Sequence, residues 1–152
     1  MHARESIYID APVDRVDGPA LAPDAWWRYF VGMSEPERID GDGGPGTTVD
    51  FTMTPPGARP FRATCRVVEW DHGPDGTVRW RGEFSGGNSG WETWELRPEG
   101  GGTFVTGELE VIPAGGPLVR LAADLFVQRP LRRNVHQSLE NLKRLVEDGA
   151  AL

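Results

Sequence analysis

The sequence predicts an α+β domain: a curved antiparallel sheet of about six to seven strands wrapped around a long C-terminal helix, with two short helices after the first strand. Three observations predict it. Five runs of strand length, 47–54, 61–70, 77–84, 90–97 and 103–112, follow one another across short Gly/Pro turns, the pattern of an antiparallel meander. From Leu118 onward the apolar period changes to three or four residues, the signature of an amphipathic helix. The chain has 152 residues, 38% of them hydrophobic, which is one domain's worth of chain with enough apolar side chain for a core, so 1–152 is read as a single domain.

The elements follow in order. Residues 6–10 are β-branched and aromatic and end at Ala11-Pro12, where Pro12 suits the first turn of a helix. Gly18-Pro19 and Pro23 interrupt 13–30, so two short helices are expected, the second carrying Trp26, Trp27 and Phe30. Ile39 and its neighbours can add a short strand. In 47–54 Val49, Phe51 and Met53 alternate with Thr48, Asp50 and Thr52, and in 61–67 Phe61, Ala63, Cys65 and Val67 alternate with Arg62, Thr64 and Arg66. Each strand therefore has one dry face and one wet face. Leu131, Val135, Leu139, Leu142 and Leu145 continue the helical stripe begun at Leu118, Leu121 and Leu125. Pro130 is expected to break or kink it, with Arg129 ending the first segment and 130–147 forming the firmer one.

Composition excludes several functions. The net charge of -7, with no basic run, argues against nucleic acid, because a binder of phosphate backbones needs a basic stripe. The one cysteine, Cys65, can make neither an internal disulfide nor an all-cysteine metal site, and it fits a reducing compartment. With no leader-like N-terminus and no run of 18 apolar residues, a cytoplasmic protein without integral membrane association is expected. No His/Cys pair stands at a ligand spacing, no Walker loop follows the Gly43-Gly44-Pro45-Gly46 turn, and no G-x-S-x-G occurs, so neither metal nor cofactor is expected.

Several segments together resemble a known family. They are Ile7-Tyr8-Ile9-Asp10-Ala11-Pro12, the tryptophan of the second short helix, Arg66-Val67-Val68-Glu69-Trp70-Asp71, Trp94-Glu95-Leu96-Arg97-Pro98 followed by Gly102-Thr103, and Ser138-Leu139-Glu140-Asn141-Leu142-Lys143. In this order they resemble the START/Bet v 1-like superfamily, and within it the bacterial polyketide cyclase/dehydrase and lipid-transport members. The resemblance runs from about residue 5 to 147. It implies a helix-grip fold enclosing a hydrophobic cavity. The superfamily includes aromatases and cyclases, lipid and hormone binders, and co-chaperones, and fold does not choose among them.

The residues offer two candidates for proton transfer. If alternation sets the inward face, Glu92 shares it with Trp94 and Leu96, and a carboxyl in an apolar pocket is pushed toward a neutral pKa. The other reading is a bulge at Gly90 that turns Glu92 to water. His136 follows Val135 on the last helix, either flanking the cavity as a general base or lying on the wet shoulder. The candidate ligand-binding set is Trp27, Phe30, Met33, Phe51, Met53, Cys65, Trp80, Trp94 and Phe126, broad polarisable side chains suited to a flat or flexible apolar ligand or to a filled core. Trp94 carries the resemblance best, since it aligns with a pocket-lining tryptophan of aromatase/cyclase relatives. The tyrosine and arginine of those relatives fall at Met33 and Arg66 here, a departure from their pattern. The expectation is a monomer or homodimer that binds a polyketide, aromatic metabolite or lipid. It acts either as a cyclase/dehydrase-like enzyme or as a carrier without chemistry.

Overall fold

The structure is a computed structural model and describes residues 1–149. Seven strands form one antiparallel sheet: β1 (His2–Ile9), β2 (Arg38–Asp40), β3 (Thr48–Met53), β4 (Phe61–His72), β5 (Val78–Gly86), β6 (Asn88–Glu99) and β7 (Gly102–Pro113). Their order is β1-β7-β6-β5-β4-β3-β2, so each strand from β2 to β7 pairs with its chain neighbour and β1 closes the far edge against β7. The short glycine-containing turns dictate the meander, because adjacent strands joined by so few residues can only fold back on each other.

Alternation puts one side of every strand in the core. Ile9, Val49, Phe51, Ala63, Cys65, Val67, Val78, Trp80, Trp94, Leu96 and Val105 are buried on the concave side. The register slips between Val67 and Glu69, and the extra residue turns Trp70 onto the concave face beside Trp80.

The helices depart from expectation in three places. Helix α1 (Val13–Leu21) runs through Gly18-Pro19 instead of breaking there. Val16, Ala20 and Leu21 are fully buried, and that packing outweighs the one helical hydrogen bond Pro19 cannot make. The second short helix is a single 3-10 turn, Trp26–Arg28. At the C-terminus the break falls at Val127, between α2 (Pro117–Phe126) and α3 (Gln128–Asp148), not at Arg129. Pro130 lies in the first turn of α3, where a missing amide hydrogen removes no intrahelical bond.

Helix α3 is the one the sheet grips: Val135, Ser138, Leu139, Leu142 and Val146 are buried, and β1 is its main seat. Helix α2 buries none of its residues, so the stripe through Leu118, Leu121 and Leu125 is not part of the core. No described helix is long and apolar enough to cross a membrane.

Candidate functional site

The site grows from three glycines on the concave face. A Cβ on Gly82 would stand 2.4 Å from the Trp80 ring and 2.8 Å from the Cys65 sulfur, and one on Gly90 would stand 2.6 Å from the Phe84 ring. At Gly107 the Trp94 ring passes 3.6 Å from where a Cβ would be. At Gly82 the Trp80 ring fills the gap the glycine leaves, at Gly90 the Phe84 ring and the Glu110 carbonyl share it, and at Gly107 the Trp94 ring lies in ordinary contact. The concave face is therefore a floor of rings lying along the sheet rather than side chains standing up from it.

Glu92 stands in the middle of that floor. It pairs across the sheet with Gly82 on β5 and Leu109 on β7, in unbroken register, so no bulge at Gly90 turns it outward. Burial pushes its carboxyl up to about 7, against a smaller opposing pull from a hydrogen bond with the Trp94 side chain. Glu92 nonetheless keeps some accessible surface, as do Phe30, Met33, Met53, Phe61 and Phe84, which pack against the core without being closed off. A side chain that is desolvated yet touchable faces enclosed space rather than open solvent. These partly exposed side chains mark the candidate recess, on the concave side beneath α3 and the segment after the 3-10 turn.

That segment is the roof. Tyr29 meets Trp94 edge to face at 5.8 Å, and Trp26 meets Trp80 in the same way at 5.3 Å. The Tyr29 hydroxyl donates to the Ala20 carbonyl at 2.7 Å and the Trp26 indole to the Leu21 carbonyl at 3.0 Å. Helix α3 ties the chain down from above: the Val31 amide donates to the Ser138 hydroxyl at 3.0 Å, and the Asn141 amide donates to the Tyr29 carbonyl at 3.1 Å. Met33 bridges to Met53 on the rim of β3. Burial, with the Glu92 charge adding to it, raises the Tyr29 hydroxyl and the Cys65 thiol above their ordinary ranges, so both stay neutral. Trp80 Nε1 is the one buried side-chain nitrogen or oxygen without a hydrogen-bond partner among the described residues.

The structure thus brings Glu92, Phe30, Met33, Phe51, Met53, Cys65, Trp80 and Trp94 to one face. Three other expected site residues lie elsewhere. His136 is 56% exposed, outside the recess, with Glu5 at 3.9 Å and Glu140 at 3.8 Å. The residue after a buried helical position is turned by about 100°, and here that turn carries it to the wet shoulder. Trp27 is only half-buried and gives its indole hydrogen to the Asp24 carbonyl, because the tight 3-10 turn sends Trp26 and Tyr29 inward instead. Phe126 projects from α2 into solvent. Arg66 is exposed and pairs with Glu83 at 3.5 Å.

Tyr29 and the glycines 82, 90 and 107 are candidate site residues that sequence reasoning missed, while Phe84 belongs to the aromatic set it expected to line a pocket in part. The spacing of Trp26 and Tyr29, one helical turn apart, was the available signal for the first.

A second depression, of about 780 Å³, lies at the other end of the molecule between the start of α1 and the β4–β5 and β6–β7 turns. Asp17 stands in it, accepting from Trp70 Nε1 at 3.0 Å and lying 2.6 Å from His72 Nε2. That pair joins α1 to β4, and half of the lining residues are proline or glycine. No group of three or more metal-ligating side chains occurs among the described residues.

With this geometry in hand, comparison with known proteins is decisive for the family. The family described as polyketide cyclase/dehydrase and lipid transport matches residues 1–147. The chain belongs to this family. No curated protein matches it in sequence. Among solved structures, this family member is similar to the protein TTHA0849 from Thermus thermophilus, with 24% identity, TM-score 0.78 and 99% of both chains covered. It is also similar to a STAR-related lipid transfer protein from Xanthomonas axonopodis, with 15% identity, TM-score 0.72, and 94% of this chain and 84% of that one covered. Norcoclaurine synthase of Thalictrum gives 17% identity and TM-score 0.68, over 98% and 95% of the two chains. At these identities the likeness is one of fold.

Proposed function

We propose that the protein holds an uncharged, apolar small molecule in the recess and moves a proton on it through Glu92. The observation that carries this reading is the Glu92 carboxyl on a floor of aromatic rings, in no ion pair among the described residues and pushed up to about 7 by burial. Glu5, another acid on that side of the sheet, sits at the β1 edge and is bound to Arg132 at 2.9 Å. None of the 16 lysines and arginines is buried, so the recess offers no cation to an anionic head group. Family membership supports hydrophobic ligands in general. The charge inventory narrows the class to neutral ones.

The chemistry is that of an aldol cyclisation. Ionised Glu92 takes a proton from a methylene next to a carbonyl, and the resulting carbanion attacks a second carbonyl of the same chain. The new alkoxide oxygen then takes the proton back from Glu92. A carboxyl that titrates near neutrality can do both halves. The walls supply orientation.

A carrier without chemistry is favoured by one observation, that among the described residues no histidine or second unpaired acid accompanies Glu92 in the recess. Benzoylacetone, an uncharged β-diketone, separates the two readings. For an enzyme, the bound diketone exchanges its methylene protons in D2O at least tenfold faster than in buffer, and Glu92→Gln abolishes this while the dissociation constant changes by less than about threefold. Binding with exchange at the buffer rate would leave the carrier. The ligand class is tested separately: 2-acetylnaphthalene should bind at least tenfold tighter than 2-naphthoate at pH 8, and equal affinities would refute the preference for neutral ligands.

A further inference from the structure

Helix α2 presents five large apolar side chains to solvent: Leu118 is 82% exposed, Val119 49%, Leu121 58%, Leu125 69% and Phe126 77%. Such a ridge on an otherwise well-buried protein needs a cause, since scattered exposed apolar residues are ordinary and a contiguous helical ridge is not. Its cause is not the fold, because α2 buries nothing and touches the body mainly at β7 and the start of α3.

The second observation is electrostatic. Residues 117–133 hold four arginines, Arg120, Arg129, Arg132 and Arg133, and one acid, Asp124, in a chain whose net charge is -7. Asp124 lies 3.5 Å from the N-terminal amine, and Arg132 is bound to Glu5. Arg120, Arg129 and Arg133 are exposed and make no ion pair among the described residues. An apolar ridge, followed within eight residues by the unpaired Arg129 and Arg133 and with the unpaired Arg120 on the same helix, is thus set into an acidic molecule.

We propose that α2 docks this protein on an anionic lipid surface, with Leu118, Leu121, Leu125 and Phe126 entering the acyl boundary and Arg120, Arg129 and Arg133 reaching the head groups. The pattern is that of an interfacial helix, in which apolar burial and charge attraction add and neither alone suffices. A second copy of this chain is the poorer occupant. A second copy could cover the ridge, but its own 117–133 segment brings only one acid, Asp124, already beside the N-terminal amine, to meet the unpaired arginines. The proposal stands apart from the reading of the recess, because it uses none of the residues that line it.

The test is co-sedimentation of the full chain with vesicles of phosphatidylcholine alone and of phosphatidylcholine with 30% phosphatidylglycerol, in 100 mM salt. The expected result is at least tenfold stronger partitioning to the anionic vesicles, reduced tenfold or more by Leu121→Ser with Leu125→Ser and, separately, by Arg129→Gln with Arg133→Gln. Raising the salt to 500 mM should release the protein. The replaced side chains are exposed, so both variants should melt with wild type and bind 2-acetylnaphthalene unchanged. Failure to bind anionic vesicles, or equal binding to both kinds, would overturn the proposal. Self-association in sedimentation velocity that the leucine variant abolishes, without vesicle binding, would give the face to a second copy. Capture of a polyglutamate peptide without vesicle binding would give it to an acidic protein partner.

Discussion

At the scale of single residues the protein's pH dependence rests on Glu92. Its carboxyl rises from 4.5 in the unfolded chain to about 7 in the fold, so the folded state holds the proton more tightly. Stability from this group is therefore greatest at low pH and is lost as pH climbs through about 7, where the buried carboxylate must ionise. The shift corresponds to about 3 kcal/mol at most. Glu92→Gln, which cannot ionise, should remove this slope between pH 5 and 8 and exceed wild type at pH 8 in urea unfolding. Parallel curves would place Glu92 in open solvent. Gly82→Ala should lower stability by about 1–3 kcal/mol, because its Cβ would press on Trp80 and Cys65 and neither ring nor sulfur has room to retreat. The sequence left two orientations open for Glu92, and the unbroken register of β6 selects the inward one. His136 was not legible, since one step along a helix from a buried residue leads equally to either shoulder. The glycines were not legible either, because only the rings that lie across them reveal what they are for.

At the scale of elements, the roof is held by side chains of α3. Ser138 accepts from the Val31 amide and donates to the Asn134 carbonyl at 2.8 Å, so it joins a helix turn to the segment that carries Tyr29 and Phe30. Ser138→Ala leaves the Val31 amide half-buried without an acceptor and should cost about 1–3 kcal/mol. That loss is readable as a fall of several degrees in melting temperature, together with weaker 2-acetylnaphthalene binding. Unchanged binding would mean that the roof does not shape the recess. Strand positions were readable from alternation and turn residues. Helix limits were less so, because tertiary packing decided them: buried Val16, Ala20 and Leu21 carried α1 through Gly18-Pro19, and the first-turn tolerance of proline moved the C-terminal break to Val127. The role of α2 lay beyond periodicity altogether. An apolar stripe reads the same whether it faces a core or projects from the molecule.

At the scale of the whole molecule, the two edges of the sheet differ, and the difference says where a ligand enters. One edge is sealed: β1 pairs with β7 along eight residues and α3 lies over it with Leu139 and Leu142 fully buried. The other edge is thin: β2 has three exposed residues, paired only with β3. Beside it stand the half-buried Phe30, Met33, Met53 and Phe61. Regions with few buried contacts open at low free-energy cost, whereas the sealed edge opens only with global unfolding. Hydrogen exchange should therefore be slowest in β1, β6, β7 and 139–146, and fast in 30–34, β2 and the end of β3. Saturating 2-acetylnaphthalene should slow exchange most in 30–34 and at the end of β3, because closing the thin edge over a ligand orders the segment that was free to open. If protection appeared instead around Pro12, Asp17 and Gly100–Gly102, the ligand would occupy the outer depression beside His72. Glu92 would then be a buried carboxyl with no part in binding, and its pH signature would persist without any effect on ligand affinity.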